Sequence, residues 1–170
     1  KAHGLERVVV STYQSVSGTG KPAIEELDRQ MGEFVNGQEG SKPSVYPHPI
    51  ANNLFPHIGG FEPDGFTGEE RKMIDETKKI LELPDLKVSA TCVRVPTRYA
   101  HAESLYFEIR DDLSREQVLA LLRHQSGVTV FDGDLPYPTP KTAEDIDGVQ
   151  VGRVRRDPDY ARGWHMFVVA

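Results

Sequence analysis

Two hydrophobic periods interleave along the chain, one near two residues and one near 3.6. Residues 7–13 are apolar and β-branched, which predicts a buried strand. Ser17-Gly18-Thr19-Gly20 predicts a turn, and Pro22 suits the first turn of a helix, where its missing N–H is not needed. Ile24, Leu27, Met31 and Phe34 follow at helical spacing, against a polar side made by Glu25, Glu26, Asp28, Arg29 and Gln30. A second helix is predicted over 67–81. Thr67 and Glu70 form its T-x-x-E capping box, and Met73, Ile74, Thr77, Ile80 and Leu81 share a face. Strands are predicted over 87–95 and 103–110, the second alternating through Leu105, Phe107 and Ile109. Ser114 and Gln117 cap a third helix that buries Val118, Leu119, Leu121 and Leu122. Residues 128–131, 149–154 and 164–169 add strands, and Pro136-Tyr137-Pro138-Thr139-Pro140 reads as an extended loop. The strands and helices interleave without regular βαβ units. This predicts an α+β fold, a mixed sheet of about six strands with helices on one face. The other face then needs a cover, and a second subunit is the simplest one.

Residues 36–66 break the pattern. Pro43, Pro47, Pro49, Pro56 and Pro63 exclude a long helix or a central strand. The segment also carries Val45, Tyr46, Ile50, Leu54, Phe55, Ile58 and Phe61, so it reads as an ordered, packed loop, with a second subunit as the candidate surface. The length of 170 residues fits one domain with a sizeable core. A formal charge of −6 argues against a nucleic-acid binder. No apolar stretch approaches the roughly 18 residues of a membrane span. A single cysteine, Cys92, forms no intramolecular disulfide and no thiolate cluster for zinc. A reducing, cytoplasmic setting is therefore expected. The chain starts on Lys1 and stops on the apolar run Phe167-Val168-Val169-Ala170, and is expected to be an excised piece of a longer protein.

Few residues suggest chemistry by type and position. Ser17-Gly18-Thr19-Gly20 before a helix has the look of a phosphate cradle. It lacks both the Walker spacing and the third glycine of a dinucleotide fingerprint, so a plain turn is the simpler reading. Glu76 and Lys79 share a helix face, which by spacing alone describes a surface ion pair. Arg94 lies on the Ala90 and Cys92 face of an apolar strand and needs a partner. A substrate carboxylate and an internal Asp or Glu both satisfy that need. His101 sits in a short connection between strands, a position suited either to proton transfer or to a structural imidazole. His48 and His57 are weak metal candidates, and no metal site is expected. Cys92, in mid-strand, reads as packing rather than as a nucleophile.

Several segments then coincide with a known family in order. They are residues 10–20 (Val-Ser-Thr-Tyr-Gln-Ser-Val-Ser-Gly-Thr-Gly), Ile50-Ala51-Asn52-Asn53, Phe55-Pro56-His57-Ile58, Glu76-Thr77-Lys78-Lys79-Ile80-Leu81, residues 89–96 with His101 seven positions after Arg94, Tyr137-Pro138-Thr139-Pro140, and Val151-Gly152-Arg153-Val154-Arg155. The chain resembles aspartate-semialdehyde dehydrogenases essentially end to end. The resemblance implies a fold like the C-terminal domain of glyceraldehyde-3-phosphate dehydrogenase-like enzymes. Residues 1–170 would be the substrate-binding and dimerisation domain, with the nucleotide-binding domain, the nucleophilic cysteine and a final helix outside the chain. It implies NADPH-dependent reductive dephosphorylation of 4-phospho-L-aspartate to the semialdehyde, in lysine, threonine and methionine biosynthesis, by a cytoplasmic homodimer. Matched residue by residue, it makes His101 the general acid/base and Gln14 a catalytic residue that orients the acyl-enzyme and contacts substrate. Arg94 takes the α-carboxylate, Glu76 the α-ammonium and Lys79 the phosphate. Ser17 and Gly18 touch NADP near the nicotinamide, the rest of which lies on the missing domain. The fragment alone is expected to be inactive. A dimerisation module from an inactive paralogue is the alternative; the charge-matched residues it would have no need to keep argue against it. A reductase of N-acetylglutamyl phosphate would leave Glu76 no ammonium to bind.

Overall fold

The β-branched run becomes β1 (Leu5–Gln14), in the interior of a six-stranded sheet whose other members are β2 (Lys87–Arg94), β3 (Ala102–Ile109), β4 (Val128–Val130), β5 (Val149–Arg156) and β6 (Gly163–Val169). This is a computed structural model, and it describes residues 3–170. The spatial order is β2-β1-β3-β6-β5-β4. The pairs β1–β2 and β4–β5 are parallel and the remaining three antiparallel, so the sheet is mixed, as the sequence predicts.

Period-two alternation sends one set of side chains to a single face. There α2 (Gly68–Leu81) lays Met73 and Ile74 on Val10, Ala90 and Leu105. Further along, α3 (Arg115–Arg123) lays Val118 and Leu119 on Ile109, Val151, Val154 and the fully buried Trp164. Each such side chain contributes about 1.5–3 kcal/mol on burial. Both helices begin at the capping boxes read from the sequence, Thr67 with Glu70 and Ser114 with Gln117. Four residues assigned to apolar helix faces are instead exposed, Met31, Phe34, Ile80 and Leu121, because each lies at the margin of its apolar stripe, beyond the surface the helix packs on. Between α2 and α3 an open apolar groove runs over Val8, Leu105, Phe107 and Met166, with Glu103 at its edge. Burial pushes that carboxyl above the usual range.

The opposite face carries Val9, Ser11 and Tyr13 of β1 with Ser104, Tyr106, His165 and Phe167 across the pairs. Near β5 it is covered by a feature that sequence periodicity missed. The proline-rich loop ends in a one-turn helix, α4 (Pro140–Ala143), capped by Thr139, and Ala143 packs on Ala102 and Val169. This approach requires glycine at 152, where a Cβ would lie 2.6 Å from the main-chain oxygen of Pro136.

The segment 36–66 packs on its own chain. From α1 (Lys21–Val35), the buried Glu26 accepts from the main-chain N–H groups of Ser44 and Val45 and from the Ser44 hydroxyl, and Gln30 accepts from Ile50 and Ala51. Burial opposes the Glu26 carboxylate, but these donors outweigh it and hold its pKa below the ordinary value. Phe55 then exchanges both main-chain hydrogen bonds with Arg94 on the outer edge of β2. Beside it, Glu70 accepts from the Thr67 N–H at 2.9 Å and from the edge-strand Cys92 N–H at 3.0 Å. One carboxylate thus caps a helix and closes a sheet edge, which otherwise presents unpaired groups.

Replacing Glu70 by alanine removes the cap and orphans a buried N–H, so Glu70→Ala is expected to cost about 2–4 kcal/mol. Urea unfolding measures it; a loss below about 1 kcal/mol, the value of a cap alone, would show that the edge contact contributes nothing.

Candidate active site

Parallel pairing sets Gln14 directly opposite Arg94 at the ends of β1 and β2. Beyond Gln14 the chain passes through Ser15 into a 3₁₀ turn, Val16–Thr19, anchored by Val16 N–H to the Thr97 oxygen (2.9 Å) and Ser17 N–H to the Arg98 oxygen (3.1 Å). Gly20, at φ 95°, turns the chain into α1. On the other side, His101 precedes β3 behind Ala100, which has a φ of 61°. The main chain of His101 exchanges both hydrogen bonds with Ala170, at 2.6 and 3.0 Å. Strand ends, the 3₁₀ turn and the start of α2 meet at one corner of the sheet.

Arg94 is 4% exposed. Its Nη1 donates to the main-chain oxygen of Ser15, its guanidinium carbon lies 5.8 Å from the centre of the Tyr46 ring, and its Nε is buried with no partner. Among the described residues no carboxylate lies within ion-pair distance of it. The two options left open by the sequence therefore separate: the internal partner is a carbonyl and a ring, not an acid. Burial lowers the Arg94 pKa, against the pull of Tyr46 and Glu69.

Gln14, also buried, donates from Nε2 to Glu69 Oε1 at 3.4 Å. Glu69 in turn lies 3.7 Å from the exposed ammonium of Lys72. His101 Nδ1 lies 3.0 Å from the hydroxyl of Ser15. Burial moves its pKa below 6.5 and the Arg94 charge adds to this, while the hydrogen bond at Ala100 and the charge of Glu69 work the other way. Gly18 closes the corner: a Cβ there would stand 3.3 Å from His101 Nε2 and 3.4 Å from Arg94 Nη1. An open cleft beside it is bounded by Ser17, Tyr99, His101 and Ala170.

Of the residues singled out in the sequence, Gln14, Ser17, Gly18, Arg94 and His101 come together. Glu76 and Lys79 do not. Both are exposed, and Glu76 lies two helical turns, about 10 Å, beyond Glu69 along α2. The helix carries the Glu-x-x-Lys spacing twice, at 69–72 and 76–79, and only the first pair stands at the capped end that meets the strand termini. The capping box was the signal that distinguished them, since it marks which turn begins the helix. Cys92 is fully buried, its Sγ lies 3.4 Å from Met73 Sδ, and burial pushes its thiol up to about 11. That environment suppresses the thiolate.

Comparison with known proteins agrees with the fold. Residues 1–170 match the family described as semialdehyde dehydrogenase, dimerisation domain. The aspartate-semialdehyde dehydrogenase of Aquifex aeolicus is 47% identical over 98% of this chain and 50% of its own length. That of Bacillus subtilis is 46% identical over 100% of this chain and 52% of its own length. The chain thus spans about half the length of the curated relatives it matches. Among solved structures, aspartate semialdehyde dehydrogenase II of Vibrio cholerae, complexed with ASA, superposes with a TM-score of 0.95 at 41% identity, over 99% of this chain and 50% of that one. The Candida albicans enzyme with NADP gives 0.68 at 25% identity, over 98% and 45%. The sheet and its helices are therefore those of a known family: the chain belongs to the semialdehyde dehydrogenase dimerisation-domain family.

Proposed function

We propose that this chain is the substrate-binding and dimerisation half of an aspartate-semialdehyde dehydrogenase. The parent enzyme reduces 4-phospho-L-aspartate to L-aspartate 4-semialdehyde and releases phosphate. The observation that carries the reading is the buried Arg94 guanidinium without a carboxylate partner. A buried cation is costly until an anion completes it, and a substrate carboxylate suits its planar fork. The substrate's α-carboxylate, α-ammonium and phosphate then find Arg94, Glu69 and Lys72. Glu69 and Lys72 take the roles that the family resemblance gave to Glu76 and Lys79, because Glu69 stands beside Gln14 and Lys72 beside Glu69.

In this reaction a thiolate attacks the acyl phosphate and phosphate leaves. Hydride then reduces the thioester, and the hemithioacetal collapses to aldehyde and thiolate. The buried thiol of Cys92 is unsuited to the first step, so the nucleophile is assigned to the remainder of the protein. Gln14 orients the acyl group, and His101 handles the proton at the carbonyl oxygen. NADPH, when bound, supplies the hydride. Ser17 and Gly18 fit its reacting ring only, since the missing side chain at 18 leaves room beside His101 while the Ser17 N–H is already bonded to Arg98. No helix among the described residues is long and apolar enough to cross a membrane, and a buried free thiol suits a reducing cytoplasm.

In the full-length protein, phosphate-dependent NADPH formation from the semialdehyde tests the assignment. Glu69→Gln and Arg94→Lys are each expected to lower kcat/KM by about 10²-fold or more. Glu76→Gln and Lys79→Met are expected to stay within about twofold, as exposed surface changes do. The reverse ranking would sink the assignment, and a wild-type protein without turnover would sink the enzyme reading itself.

The open face of β1, β3 and β6 is the proposed subunit interface, and its mixture of Val9, Tyr13, Tyr106 and Phe167 with polar neighbours suits a second copy. Light scattering of this chain is expected to give twice its 19.0 kDa, and Tyr106→Glu is expected to return it to the monomer mass. A wild-type chain that remains monomeric at every concentration would move the interface elsewhere.

A further inference from the structure

Two polar groups of Ser15 converge on a single nitrogen of His101, and a third, from Ser17, backs one of them. The Ser15 hydroxyl lies 3.0 Å from Nδ1, the Ser15 main-chain N–H donates to the same atom at 3.4 Å, and the Ser17 hydroxyl lies 2.9 Å from that of Ser15. Hydroxyls can donate or accept, but a main-chain amide only donates. The amide therefore requires a lone pair on Nδ1, and in a neutral imidazole the one ring proton then sits on Nε2. With Nδ1 accepting, the Ser15 hydroxyl points its hydrogen at the ring and its own oxygen is free to accept from Ser17. The hydrogen bonds run in one direction, Ser17 to Ser15 to His101.

The arrangement is held from both sides. Ser15 is completely buried, and the residues after it are tied to Thr97 and Arg98. The His101 main chain is tied to Ala170. Nε2 is the ring atom beside Gly18, at the point that Arg94 also approaches.

We infer that Ser15 is the positioning residue of His101, its hydroxyl and amide together holding the imidazole as the Nε2–H tautomer with that N–H aimed into the corner shared with Gly18 and Arg94. The inference rests on the proposed role of His101 and gives it a direction: the resting ring offers the substrate oxygen a hydrogen-bond donor rather than a base. A proton added at Nδ1 forces the Ser15 hydroxyl to reverse and sets the amide N–H against another N–H. The charged groups that face the ring are Arg94 from β2 and Glu69 from α2, with Glu144 and Asp145 across the cleft. Burial and Arg94 oppose the imidazolium in the same sense as Ser15, and the hydrogen bond at the Ala100 main chain and the charge of Glu69 partly offset them.

The test is ¹⁵N NMR of the full-length protein labelled at histidine, without substrate, with His101→Gln identifying the signals. The wild type is expected to show an unprotonated Nδ1 and a protonated Nε2. Ser15→Ala is expected to shift the ring toward a mixture of tautomers and to lower kcat about tenfold with little change in KM, a fraction of what a general acid contributes. Ser17→Ala, which removes only the outer hydroxyl, is expected to change both in the same direction by less. A protonated Nδ1 in the neutral wild-type ring, or a Ser15→Ala ring identical to the wild type, overturns the inference. So does an altered tautomer with unchanged kcat. Loss of the functional reading is seen separately, as absence of turnover in the wild type, while the NMR result continues to decide the tautomer.

Discussion

The corner of the sheet depends on one buried carboxylate. Glu70 accepts from the N-cap of α2 and from the outer edge of β2, and so joins a helix start to a strand by two short bonds. This contact fixes both where α2 begins and how it is rotated. The residue before it, Glu69, is then turned about 100° around the axis, toward Gln14 at the strand end. A helix started one residue later would carry the acid away from the corner. Here a capping box, ordinarily a local device, also determines tertiary geometry.

A second constraint is Arg94. Proteins seldom bury a guanidinium without an acid, because desolvation is not repaid. This one is held by a carbonyl and an aromatic ring, and it is kept in place by the long loop. Tyr46 stands against the guanidinium, and Phe55 grips the Arg94 backbone while packing edge-on to Tyr46 at 5.5 Å. The loop is itself held by Glu26 and Gln30 of α1. A proline-rich segment without helix or strand thereby acquires a purpose: it maintains a cation in a low-dielectric place with no carboxylate at ion-pair distance among the described residues. The polar side chains of α1, which amphipathic patterning assigns to solvent, do the holding.

The strands, the three long helices, both long-helix caps and the face occupied by Arg94 were all legible along the chain. They follow from local rules: side-chain alternation, helical periodicity and hydrogen bonds that span three residues. The order of the motifs also pointed to the family by resemblance. Exposed Ile80 and Leu121 escaped that reading because periodicity finds a stripe but not how far the sheet beneath it extends. The one-turn helix at Pro140 escaped because four residues carry no period.

The corner itself was decided by folding. Two Glu-x-x-Lys pairs lie on α2; the capping box marks 69–72 as the pair at the helix start, and only the meeting of that end with the ends of β1 and β2 brings Glu69 to Gln14. Ser15 and His101 are 86 residues apart, and their contact exists because the 3₁₀ turn docks on the loop that leads to β3. Sequence by itself determined which segments form, since those energies are local. Which charged side chains converge, and which nitrogen of a histidine carries its proton, depended on distances between segments, and only the packed tertiary structure sets those.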